Sequence, residues 1–271
     1  MLLNQIVWDM SPTIVKIGEF EIRWYGLLFA MGFLFGFQII ARIFKLENKD
    51  EKDLDKLLLT MIISVVLGAR MGHYIFYEGA HFFENPAAFL WDMLIPPYSG
   101  LASHGAAFGV LIGLFIFKKR NPSYDYLWLT DRLVSASALG GAFIRFGNFM
   151  NSEIVGKATD KPWGVLFKRN FEFLQVPRHP AQLYEAISCL VLFVILYFLY
   201  EKWKAKTPRG SLTGIFFIWI FGLRFFYEFL KENQEKFEDT MALNMGQILS
   251  IPVVLFGLFV LIKSFKDQAP S

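Results

Sequence analysis

The sequence predicts an all-α integral membrane protein of seven transmembrane helices with a small cap inserted between helices 4 and 5, and three observations lead there. Of 271 residues, 55% are hydrophobic and 18% aromatic, and the mean hydropathy is positive, which is more apolar surface than one soluble core can hide. Seven segments have the roughly 20 mostly apolar residues that a bilayer core demands. The stretch from Asn151 to Pro180 is instead polar, rich in Gly and Pro, and too long for a simple turn, as a folded cap or binding loop would be.

The spans are expected near 24–44, 57–78, 99–117, 127–149, 181–200, 212–230 and 245–262, in a single domain of residues 1–271 whose cap is 151–180. The 31 Phe and 7 Trp suit lipid-facing helices and interfacial aromatic belts. The third and fourth spans are the weakest by hydropathy, because they hold Ser, His, Gly and Arg, the residue types that line a functional interior. In the cap, short strands are expected around Gly164 to Phe167 and Phe171 to Gln175. The stretch from Gly79 to Pro97 reads as a loop without Lys or Arg. The N-terminal MLLNQIVWDMSPTIV lacks the basic start and cleavage site of a secretory signal, so the N-terminus is expected to be retained.

Orientation follows from the basic residues. The connections RIFKLENKDEKDLDK, KKRNP and EKWKAKTPR and the tail KSFKD hold fourteen Lys and Arg, against nine on the other side. Positive charge in short loops favours the cytoplasm, which puts the N-terminus outside and the C-terminus inside. The formal charge of +3 is spread thinly and forms no basic stripe, which argues against a nucleic-acid partner. A single cysteine, Cys189, excludes an intramolecular disulfide and reads as a packing residue.

Charged groups inside the spans carry the functional signal. Arg70, Arg145 and Arg224 each sit within an expected helix, at a cost that falls only with a partner, water or an interface nearby. Snorkelling would scatter such residues between both faces. Here Arg70, Arg145 and Arg224 share a depth with Tyr25, His104, Gln182, Tyr184, Glu185 and Gln247, toward the outer face. Arg224 and Glu228 are four apart and so share a helix face, where they can pair, structurally or to orient the guanidinium. Arginines beside an outer-leaflet cavity suit a phosphate, which a guanidinium binds in a bidentate fork, and the abundant phosphate at that depth is a lipid headgroup. His104 precedes Gly105, Ala106 and Ala107, small residues that admit a close neighbour; it is either a satisfied core histidine or a base.

The stretch GGAFIRFGNFMNSEIVGK, Gly140 to Lys157, resembles the signature of the bacterial prolipoprotein diacylglyceryl transferases at Arg145, Gly147, Asn148, Phe149, Asn151, Glu153 and Gly156. The chain is also similar to that family at IRWYG (22–26), GARMG (68–72), SHGAA (103–107), RHPAQLYE (178–185), RFFYEF (224–229) and MGQ (245–247). Two positions depart from the pattern: Ala106 replaces a glycine, and Lys157 stands where arginine is frequent.

The resemblance implies transfer of the diacylglyceryl group of phosphatidylglycerol to the thiol of the lipobox cysteine in a prolipoprotein signal peptide. A thioether forms and glycerol phosphate leaves. The setting implied is the bacterial inner membrane, with membrane lipid and the signal peptide as partners, a periplasmic cap and an active site toward the periplasmic leaflet. Arg145 and Arg224 are expected on the phosphate, His104 in proton acceptance or headgroup binding, and Tyr25 in a hydrogen bond within the same cavity. Glu228 would orient Arg224; Asn148, Asn151, Glu153, Gly105 and Gly147 would contribute to substrate binding. Arg70, also a substrate-binding candidate, and Glu185 are expected in supporting or structural places.

Breaking carbon to oxygen requires no metal on the phosphoryl group, so no metal and no cofactor are expected. The chain has no HExxH, His73, His81 and His179 lack zinc spacing, and no GxSxG elbow is present. The rival reading is a phospholipid-binding or anion-transporting membrane protein using the same arginines, although transporters usually show repeats and midplane sites. Intramembrane proteolysis could use Ser99 or Ser103 with His104, but leaves the arginines without a role.

Overall fold

The computed structural model describes residues 6–18, 20–95, 102–232, 238 and 241–267. Elements run β1 (Ile6–Trp8), β2 (Thr13–Ile17), β3 (Phe20–Arg23), α1 (Trp24–Leu46), α2 (Glu51–Tyr77), α3 (Gly79–Glu84), α4 (Pro86–Leu94), α5 (Ser103–Arg120), α6 (Tyr126–Met150), β4 (Val165–Phe167), α7 (Ala181–Trp203), α8 (Ser211–Tyr227) and α9 (Met245–Lys266). The protein is mostly helical, and four helical stretches, Trp24–Leu46, Ala181–Lys206, Ser211–Leu230 and Met245–Lys266, are long and apolar enough to cross a membrane. A helix also occupies most of each remaining expected span, in α2, α5 and α6. Ser99 and the start of the expected third span lie outside the described residues.

Two compact units form, one from residues 44–130 and one from the rest of the chain. In the 44–130 unit, α2 and α5 pack backbone to backbone through Gly68 and Gly72 against Gly105 and Gly109. A Cβ added to Gly72 would lie 2.6 Å from Gly105 Cα, so no side chain fits there. Four-residue spacing of small residues places them on one helix face, as close crossings require. At the far end of this unit Phe44, Tyr124 and Trp128 stack, Lys49 lies over the last two rings, and Tyr124 donates to Asp53. The expected loop from Gly79 instead contains α3 and α4. Asn85 caps α4 by accepting from Ala88 N at 3.1 Å, and Pro86 follows it, a proline placed where no intrahelical donor is needed.

In the other unit α1 meets α6 through Gly32 on Gly140 and Gly36 on Ala136, and α8 meets α9 through Gly214 and Gly257. The first turn of α8 has no side-chain cap of its own, since Gly210 precedes it in a left-handed conformation. Asp131 of α6, fully buried, supplies the acceptor instead, taking Gly210 N at 2.6 Å, Thr213 N at 2.9 Å and Thr213 Oγ1 at 2.8 Å. α9 opens on a capping box of Asn244 and Gln247.

The insertion between α6 and α7 folds over its own small core of Phe149, Val155, Val165 and Phe167, packed by Trp8, Met150, Phe173 and Leu183. β4 pairs in parallel with β1, Ile6 opposite Val165 and Trp8 opposite Phe167, while β2 and β3 form an antiparallel hairpin. The strand expected at Phe171 to Gln175 does not form. Asn170 Oδ1 accepts from Phe173 N at 3.1 Å, and the Gln175 side chain donates to the Asn170 carbonyl, so side chains rather than a strand partner take these backbone groups.

Candidate active site

Three helix ends and one connection of the larger unit converge on an alternating chain of charges. Arg145, five residues before the end of α6, lies with Nε 2.5 Å from Glu185 Oε2 in the second turn of α7. The other oxygen of Glu185 takes Lys231 Nζ. The same ammonium lies 3.5 Å from Glu228 Oε1, and Arg224 Nε lies 3.4 Å from that oxygen. The order is therefore Arg145, Glu185, Lys231, Glu228, Arg224. Its three inner members are nearly buried, with side-chain exposures of 9%, 6% and 5%, whereas Arg145 and Arg224 retain 28% and 45%. Buried carboxylates of this kind persist only with close cationic partners. Here they hold two guanidinia that stay partly exposed.

Local structure explains each position. Glu228 follows α8 in a 3-10 turn, Glu228–Leu230, which carries Lys231 back beside it. Asn244 Nδ2 donates to Glu228 Oε2 at 3.1 Å, and Gly246 lets the first turn of α9 press on the carboxylate: a Cβ there would lie 2.7 Å from Glu228 Cδ. Arg145 Nη1 donates to Asn148 Oδ1 at 3.4 Å, Asn148 Nδ2 to Glu153 Oε1 at 2.7 Å, and Asn151 Nδ2 to the same oxygen at 3.4 Å. Glu153 thus reaches Arg145 through an amide. Gln182 Nε2 fixes the Glu153 carbonyl at 2.6 Å. Tyr25, at the head of α1, rests on the α6 turn that holds Arg145 and Asn148, because Gly147 has no side chain; a Cβ there would meet Tyr25 Cδ2 at 2.7 Å.

Of the residues singled out from sequence, Tyr25, Arg145, Gly147, Asn148, Asn151, Glu153, Arg224 and Glu228 come together in this unit. Three other candidates, His104, Gly105 and Arg70, lie in the 44–130 unit. His104 heads α5, exposed, its ring edge-on to Phe76 with centroids 4.8 Å apart. Gly105 is buried against Gly68 and Gly72 and serves helix packing. Arg70 is 2% exposed; it donates to the Asp92 carbonyl, to Met93 O at 3.3 Å and to Tyr74 Oη at 3.1 Å, with its guanidinium 4.4 Å from the Tyr74 ring. It stands at the negative carbonyl end of α4.

Sequence reasoning missed Lys231 and Arg178 and underrated Glu185. Arg178 is buried, pairs with Glu232 at 2.6 Å, donates to Gly156 O at 3.2 Å and lies over the Phe173 ring. The three-residue spacing of Glu228 and Lys231 was the available signal, obscured because the span was expected to end at 230. Among the described residues, no group of three His, Cys, Asp or Glu side chains could hold a metal ion. Two partly exposed guanidinia, each paired with a buried carboxylate, suit binding an oxyanion and stabilising charge that grows on it.

Comparison with known proteins shows the family. The prolipoprotein diacylglyceryl transferase family matches residues 12–263. The phosphatidylglycerol-prolipoprotein diacylglyceryl transferase of Tolumonas auensis is 41% identical over 266 residues, covering 97% of this chain and 99% of the relative. Proteins of the same name from Chloroherpeton thalassium and Bacteroides fragilis are 39% and 38% identical, each covering 95% or more of both chains. With the match running through nearly the whole sequence, the chain belongs to the prolipoprotein diacylglyceryl transferase family.

Proposed function

We propose that the protein transfers the diacylglyceryl group of phosphatidylglycerol to the thiol of the lipobox cysteine of a prolipoprotein, the first step of bacterial lipoprotein maturation. The single observation that carries the mechanism is the pair of partly exposed guanidinia at the two ends of the buried charge chain. The thiolate attacks the glycerol carbon that bears the phosphate; the sulfur to carbon bond forms as the carbon to oxygen bond breaks. A singly charged phosphodiester then leaves as glycerol phosphate with a second negative charge, and the thiol proton passes to a base.

Arg145 and Arg224 hold the phosphate and take up that added charge. Glu185 and Glu228 keep the guanidinia oriented. Asn148, Asn151 and Glu153 order the polar entrance beside Arg145, and Tyr25 adds a hydroxyl in the same region. His104, exposed at the head of α5, is proposed for proton acceptance or headgroup binding, since a thiol with a pKa of roughly 8.5 must lose its proton to react.

The same reading places seven helices across the bacterial inner membrane, N-terminus outside, with the 151–180 insertion as a periplasmic cap. The helices over the seven segments and the excess of Lys and Arg in the opposite connections support it. The test is to incubate purified protein with phosphatidylglycerol and a lipobox peptide, following peptide mass and glycerol phosphate. The expected result is one diacylglyceryl group on the cysteine, stoichiometric with glycerol phosphate. An unmodified peptide beside an active reference enzyme would turn the reading toward lipid binding or anion transport.

A further inference from the structure

The middle of the charge chain has a second attachment that the arginines lack. Lys231 is 5% exposed, and its ammonium spans Glu185 on α7 and Glu228 at the end of α8. Its backbone meanwhile belongs to the cap: Gly156 and Lys231 form an antiparallel bridge, and Lys157 N donates to Leu230 O at 2.8 Å. The next residue, Glu232, is held by buried Arg178, which also binds Gly156 O. Gly156 allows this approach, since a Cβ there would lie 2.6 Å from Leu230 O and 2.8 Å from His179 O. Each carboxylate of the chain thus has one arginine and one shared lysine. Arg145 and Arg224 sit on different helices, and among the described residues the ion pairs that join them run through this lysine.

We propose that Lys231 is a positioning residue for the transferase reaction, setting the spacing of Arg145 and Arg224 through Glu185 and Glu228 and tying that spacing to the order of the cap. The proposal rests on the functional reading above. Without the ammonium, each carboxylate loses the cation that the two share, and both guanidinia are drawn inward from the geometry needed at the leaving oxygen. Both cations remain, so phosphatidylglycerol is still held while turnover falls. Misplacement of a catalytic group by about 1 Å costs on the order of 100-fold.

The experiment compares wild type, Lys231→Met and Lys231→Arg, purified in phosphatidylglycerol nanodiscs, for kcat and for the KM of a lipobox peptide, with lipid affinity measured in detergent and thermal melting alongside. The expected result is a kcat lowered roughly 10- to 100-fold in the Met protein, with phosphatidylglycerol affinity within about threefold, and recovery in the Arg protein to within about fivefold of wild type. A Met protein with unchanged turnover overturns the proposal. So does a folded Arg protein as inactive as the Met protein, or a loss confined to lipid affinity. If Lys231→Met does not fold, Lys231→Gln, whose amide can still bridge the carboxylates, takes its place; failure of both to fold makes Lys231 a folding residue and overturns the proposal. An inactive wild type counts against the functional reading and the proposal together, whereas an active wild type with an indifferent Lys231→Met counts against the proposal alone.

Discussion

Substituting Gly156 by Ala tests the join between cap and charge chain with a single methyl group. The added Cβ would lie 2.6 Å from Leu230 O, 2.7 Å from His179 Cβ and 2.8 Å from His179 O. Ordinary contact begins near 3.4 Å, so the deficit is 0.6 to 0.8 Å on two sides. Two of the three atoms are backbone, and no flexible side-chain end can yield. The segments carrying His179 and Lys231 must therefore separate, stretching Gly156 N to His179 O, now 2.9 Å, and Lys157 N to Leu230 O, now 2.8 Å. Overpacking of this kind costs about 1–3 kcal/mol. For a chain of this size that lowers the melting temperature by roughly 2–12 °C. Because Lys231 moves with its backbone, kcat should fall at least about tenfold. Thermal melting of the purified protein and peptide lipidation in nanodiscs measure both effects. A Gly156→Ala protein with wild-type melting and wild-type turnover would refute the argument that this backbone contact sets the site.

Three further outcomes follow from the same geometry. Glu185→Gln removes the carboxylate between Arg145 and Lys231; with about 3 kcal/mol at stake for one partner of a buried pair, turnover should drop on the order of 100-fold, and a drop under threefold would exclude Glu185 from orienting Arg145. Asp131→Asn weakens three hydrogen bonds at the start of α8, so stability should fall by about 2 kcal/mol while kcat of the folded protein stays within twofold; unaltered melting would show that the cap is dispensable. His179, ahead of α7, has its pKa lowered, first by burial and then by the Lys161 charge. Trp163 donates to Tyr184 Oη, whose hydroxyl can then donate to His179 Nδ1 as an acceptor, a role that protonation abolishes. With the folded pKa below the unfolded value of roughly 6.5, the unfolded chain takes up the proton first as pH falls. The melting temperature should therefore decrease below about pH 6.5, and less so in His179→Gln. Equal pH dependence in the two proteins would contradict this.

Much of the site was legible because its residues break the apolar pattern of the helices. Arg145 and Arg224 stand out within their segments, the spacing of Arg224 and Glu228 gives their pairing, and the block from Gly147 to Glu153 is local in sequence. What was not legible depends on separations that no local pattern records. Lys231 looks like one more loop lysine until the 3-10 turn folds it back on Glu228 and α7 brings Glu185 alongside. Gly105 read as a small residue admitting a close neighbour, but which helix comes close, through Gly68 and Gly72 more than 30 residues earlier, is not written locally. β1 pairs with β4 across more than 150 residues, a contact that periodicity cannot announce. Phe171 to Gln175 has apolar residues in a strand-like rhythm, but Asn170 and Gln175 supply hydrogen bonds that end it. The helix α4, by contrast, had a readable signal in Asn85 and Pro86, overlooked because the segment is too short to span a bilayer.

The most direct test of the central claim is the turnover of Arg145→Ala beside wild type, both in phosphatidylglycerol nanodiscs with a lipobox peptide and both shown to be folded by melting temperature. A loss of at least about 100-fold in kcat is expected, as for removal of one donor to a developing oxyanion. A folded Arg145→Ala protein with near-normal turnover would contradict it, and with it the role of the charge chain in catalysis.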